Sequence, residues 1–111
     1  MEAFSESMRR QFEDRMVKHL LSRFPDQTSS LDQQALRDLT QWGIDRAESY
    51  EIGFQDDIQR YLEYMMVLST DFDTNSNTLW AGDILRNKFI EGSEKIRRID
   101  NTYLFPRRGR A

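Results

Sequence analysis

Apolar residues recur along this chain at helical spacing from end to end. In the first segment Phe4, Met8, Phe12, Met16 and Leu20 stand four apart, and Val17, Leu21 and Phe24 widen the stripe. Residues so spaced share one face of a helix, while Arg9, Arg10, Glu13, Asp14 and Lys18 take the other. The pattern predicts a helix over 2–24. Pro25 ends it, because a proline pushes the preceding residue out of the helical region. The stretch "PDQTSS" is then a polar linker. Ser30 followed by Gln33 makes a capping-box pattern and opens a second helix over 31–50. Its stripe is Ala35, Leu36, Leu39, Trp42 or Gly43, Ala47 and Tyr50. Gly43 costs about 1 kcal/mol relative to alanine inside a helix, and it suits a close helix crossing.

Gly53 marks the next turn, and Phe54 leads into a third helix over 55–69 with Ile58, Tyr61, Leu62, Met65, Met66 and Leu68 apolar. A fourth helix starts near Leu79 and carries Trp80, Ile84 and Leu85, with Phe89 at its far end. Gly92 and Ser93 interrupt it. The segment "SEKIRRIDNTYLF" then forms a short last helix with Ile96, Ile99 and Tyr103 on one side. No period-two alternation competes with this reading. The expected fold is all-α, a small bundle of four main helices plus a short C-terminal helix. It forms a single domain over 1–105, followed by a basic tail over 106–111.

Length and composition agree with that picture. The 111 residues suffice for one domain, and with 32% charged and 38% hydrophobic residues the chain reads as soluble and globular. No run is long and apolar enough to span a membrane. The first residues, "MEAFSESMRRQFEDRM", lack an apolar signal core, so a cytoplasmic location is expected. The absence of cysteine excludes disulfides, zinc–thiolate sites and cysteine nucleophiles. Net charge is −3, and Arg107, Arg108 and Arg110 all lie in the tail, so the body is more acidic still. Such a body is a poor ligand for phosphate backbones, and no nucleic-acid partner is expected.

Few residues suggest chemistry. In "STDFDTNSNT", Asp71, Asp73, Asn75 and Asn77 alternate like the start of a calcium loop. A calcium loop also needs glycine at its sixth position and glutamate at its twelfth, where this chain has Ser76 and Gly82. The stretch therefore reads as a capped connection between helices, with Asp71 or Asp73 closing one helix and Asn77 or Thr78 opening the next. His19 is the lone histidine, near Glu13, Asp14 and Arg15 in sequence, and reads as a packing or surface residue. Adjacent helical residues diverge by about 100°, so neither Glu13–Asp14 nor Asp56–Asp57 converges on one point. Asp56 and Asp57 instead suit the positive N-terminal end of the third helix. No Glu-x-x-His pair, phosphate loop or nucleophile triad occurs, so no enzymatic role, cofactor or metal is expected. The surplus of large side chains is more suggestive. Tyr61, Tyr64, Met65, Phe72 and Trp80 are candidates either for core or for protein-binding anchors, and sequence alone does not separate the two roles.

Three blocks in fixed order carry a resemblance: "RRQFEDRMVKHLLSRFP", "LRDLTQWGIDRAESYEIGFQDDIQRYLEYMMVLSTDFDT" and "LWAGDIL". Over residues 8–90 or so, the chain resembles small helical bacterial proteins encoded beside type VI secretion effectors, PAAR spike-tip proteins and effector-loading adaptors. The resemblance implies a non-enzymatic co-adaptor or chaperone that binds a secretion adaptor, spike-tip protein or effector. It carries over no catalytic residue. An immunity protein that neutralises a cognate toxin is the alternative, since an acidic body suits a basic toxin.

Overall fold

The computed structural model describes residues 5–104, which are all-helical with no strand among them. The helices are α1 (Glu6–Arg23), α2 (Pro25–Thr28), α3 (Gln33–Ser49), α4 (Gln55–Val67), α5 (Leu79–Leu85) and α6 (Gly92–Leu104). One 3₁₀ turn at Ser76–Thr78 precedes α5. The predicted start at Glu2, the stripe position Phe4 and the basic tail lie outside the described residues.

The expected all-α bundle is the observed fold, with several boundaries corrected. Proline at a first helical position lacks only an N–H that would go unused, so Pro25 begins a single-turn helix where a linker was expected. Thr28 in that turn is buried and donates to the Phe24 carbonyl at 2.8 Å. The cap of α3 is Asp32, whose carboxylate accepts the Ala35 N–H at 2.7 Å, and not Ser30. The turn between α3 and α4 is made by Glu51, at φ 68°, where Gly53 was expected. The last two helices exchange lengths: α5 has 7 residues and α6 has 13. Phe89 therefore belongs to no helix and is fully exposed in the turn after α5.

α4 packs against α1, α3 and α6, α1 also packs against α3, and α5 packs against α6. The α3–α4 crossing depends on Gly43, where a methyl group would stand 2.5 Å from Leu62 Cδ2 and 2.7 Å from Met65 Sδ. Gly92 has the same function for α6, since a methyl there would meet the Glu51 carbonyl oxygen at 2.3 Å. The core joins Phe12, Met16 and Leu20 of α1 to Leu36, Ile44 and Ala47 of α3, to α4, and to Leu85, Ile96 and Ile99.

Charge ties the outside of the α1–α3 seam. Arg9 bridges Glu13, Asp45 and Glu48, and Arg37 bridges Glu13 and Asp14. Glu13 was expected on the solvent face. It is buried because Arg9, Arg37 and Gln41 close over it and supply its hydrogen bonds. Asp56 and Asp57 occupy the first turn of α4 as expected, and Ser93 of α6 donates to Asp57 at 2.6 Å.

Candidate protein-docking groove

The five candidate residues divide unevenly between core and surface. Tyr61, Tyr64, Met65 and Phe72 have almost no exposed surface, and Trp80 is partly buried against the same core. The structure takes the core alternative for the first four, because a side chain without surface has nothing to offer a partner. Phe72 tucks back from the aspartate loop between the two tyrosines, with ring centroids 4.9 Å from Tyr61 and 6.1 Å from Tyr64. Tyr64 lies off the main stripe of α4 and is nonetheless covered, because α6 closes that side. Tyr103 stacks edge-on against it at 5.5 Å, and the Tyr64 hydroxyl donates to Asp100. Arg60 donates to the same carboxylate at 2.5 Å. Burial, reinforced by the neighbouring carboxylates of Asp73 and Asp100, holds the Tyr61 and Tyr64 hydroxyls well above their ordinary range.

The aspartate loop is architectural. Asp71 accepts from Ser69 and Asn75, Asn75 caps the 3₁₀ turn, and the Thr78 hydroxyl donates to the Phe72 carbonyl at 2.7 Å. Asp73 points inward and is wholly buried, where it pairs with Arg46 and accepts the Tyr50 hydroxyl at 2.7 Å. Arg46 also lies over the faces of Trp42 and Tyr50, 5.5 and 5.8 Å from the ring centroids. The loop's one buried carboxylate thus fixes an arginine that steadies a surface tryptophan. No group of three or more His, Asp or Glu among the described residues is placed to hold a metal ion. His19 meets Glu63 of α4 at 2.7 Å, not its sequence neighbours, and links α1 to α4.

The main surface feature lies where α3 meets the end of α4. An open, mostly apolar groove of about 860 Å³ runs between α3 and the end of α4, closed at one end by α2. α3 contributes Ala35, Asp38, Leu39 and Trp42. Met65 and Met66 form the floor, Ser69 and Thr70 the far edge, and Gln27, Ser30 and Leu31 the closed end. Trp42 is 41% exposed. Asp38 is the one charged residue in the lining among the described residues, and Gln34 donates to its carboxylate at 2.9 Å.

Of the five candidates only Met65 touches this groove. The signal for the rest was present in α3. Its apolar positions form two stripes, about 100° apart because each is offset by one residue. Leu36, Gly43, Ile44 and Ala47, with Thr40 donating to the Leu36 carbonyl, face the core. Ala35, Leu39 and Trp42, spaced i, i+4, i+7, face the groove. Read as a single stripe, they conceal a second apolar face. The alternative between Trp42 and Gly43 resolves the same way, with Gly43 against α4 and Trp42 at the groove.

Trp42 and its neighbours on α3 give the groove its exposed apolar wall, and the side chains of Met65 and Met66 lie buried beneath it. No helix among the described residues is long and apolar enough to cross a membrane. No family model, curated protein or solved structure matches this chain.

Proposed function

We propose that this chain is a non-enzymatic accessory protein, a cytoplasmic co-adaptor or chaperone that binds a secretion adaptor, spike-tip protein or effector during type VI effector loading. The groove between α3 and α4 carries the binding part of this reading: it is apolar, open, and walled by an exposed tryptophan. The secretion part rests on the resemblance of residues 8–90 alone. Binding proceeds by burial of partner side chains against Trp42, Leu39 and Met66, with polar groups at the rim setting orientation.

The test is affinity capture of the tagged chain from cells expressing the secretion components, beside a Thr70→Arg variant. Thr70 is exposed at the groove edge, so arginine there obstructs the groove without touching the core. An adaptor, spike-tip protein or effector recovered with the native chain and lost with the variant is the expected result. Equal recovery with both chains contradicts docking in the groove. A recovered toxin whose lethality the chain suppresses would replace the loading role with the immunity role.

A further inference from the structure

We infer that the groove receives an amphipathic helix of a partner protein, with apolar anchors along one face and lysine or arginine on its flanks. The inference rests on the docking reading above and adds the shape and charge of the occupant.

The shape follows from the walls. A partner strand would need an exposed strand edge to extend, and the described residues contain no strand. Helices α3 and α4 instead leave a trough between them, which is the geometry that accepts a third helix through anchors at i, i+3, i+4 and i+7. Trp42 and Leu39 on one wall and Met66 at the base offer the apolar contacts.

The charge follows from the rim. Among the described residues no lysine or arginine lines the groove, and Asp38 sits within the lining. Asp32 caps α3 on the N–H of the lining residue Ala35. Among the described residues, neither Asp38 nor Asp32 has a lysine or arginine within ion-pair reach. On the α1–α3 seam, by contrast, Glu13, Asp14, Asp45 and Glu48 are each bridged by Arg9 or Arg37. The rim therefore presents uncompensated negative charge that a basic flank would meet. The same charge disfavours a second copy of this chain as occupant. A two-fold pairing groove to groove would bring two faces of the same negative sign together.

Two synthetic helical peptides test the inference by calorimetry with the intact chain. They share leucine anchors at i, i+3, i+4 and i+7, and differ in having lysine or glutamate on both flanks. The lysine peptide should bind about tenfold more tightly than the glutamate peptide, and added salt should narrow the gap. Asp38→Lys should abolish or reverse the preference, and Trp42→Ala should weaken the lysine peptide about tenfold or more. Equal affinities, a glutamate preference, absence of lysine-peptide binding, or a concentration-dependent dimer broken by Thr70→Arg would each overturn it. The two readings fail separately. A cellular partner captured through the groove but preferring the glutamate peptide keeps the docking function and removes the basic helix. Capture indifferent to Thr70→Arg removes the docking function itself.

Discussion

Two regions beside α4 make opposite use of similar residues. On one side Tyr61 and Tyr64 are sealed under Phe72, α5 and α6, with their hydroxyls beside the carboxylates of Asp73 and Asp100. On the other, Met65 and Met66 form the floor of a groove that stays open, with Trp42 at its wall. The aromatic-rich region is sealed, whereas the groove takes its exposed surface from Trp42 and its neighbours on α3, with Met65 and Met66 buried beneath them. Aromatic density along a sequence therefore does not locate a binding face. What decides is whether another element has the residues to cover it. α6 covers Tyr64 with Tyr103 and Asp100, whereas α2 is a single turn too short to close the far end of the α3–α4 trough.

The largest effect should come from the sealed side. Phe72→Ala removes a ring with no exposed surface and should cost about 3–5 kcal/mol in urea-induced unfolding. Asp73→Ala comes next. It strips the Tyr50 hydroxyl of its acceptor and leaves Arg46 without its counter-ion. The cost should be about 2–3 kcal/mol, below the full penalty for a buried ion because Arg46 is a third exposed and can rehydrate. Since Arg46 also lies over Trp42, this variant should change the tryptophan emission as well.

Trp42→Ala belongs to the open side and should reverse the balance. Its effect on unfolding should stay below about 1 kcal/mol, while partner affinity should fall by about 2 kcal/mol, or roughly thirtyfold.

The smallest effect concerns Tyr61, whose hydroxyl has no hydrogen-bond partner among the described residues. Tyr61→Phe removes a desolvated group and should be neutral or stabilise the chain by about 1 kcal/mol at neutral pH. The same residue sharpens an alkaline prediction. The folded Tyr61 and Tyr64 titrate above the ordinary 10.0. In the unfolded chain they lose protons first, so their stabilising contribution is full below pH 10 and is lost as pH rises through the folded values. Unfolding free energy should therefore fall above about pH 10, and less steeply in Tyr61→Phe.

The fold was largely legible because helical periodicity depends on local spacing, and every main helix carries a clear apolar face. The misplaced boundaries have physical causes that spacing does not encode. Pro25 at a first helical position starts a turn instead of ending one, and Glu51 adopts a left-handed conformation usually given to glycine. The inward turn of Asp73 was not legible, since its partners Arg46 and Tyr50 come from the far end of another helix. Nor was the burial of Tyr64, which depends on Asp100 and Tyr103, 36 and 39 residues later in the chain. The groove was half legible: Ala35, Leu39 and Trp42 were all seen as apolar, but their offset from Leu36 and Gly43 distinguishes two faces only when the positions are taken one residue at a time.

The central claim is that the open side of α4 binds and the sealed side does not. The most direct measurement sets Trp42→Ala beside Tyr64→Ala and records melting temperature and affinity for the captured partner for each. The account predicts that Trp42→Ala melts like the native chain and loses the partner, whereas Tyr64→Ala melts far lower and, where still folded, keeps it. A Tyr64→Ala chain that melts normally and fails to bind, with Trp42→Ala binding unimpaired, would contradict it.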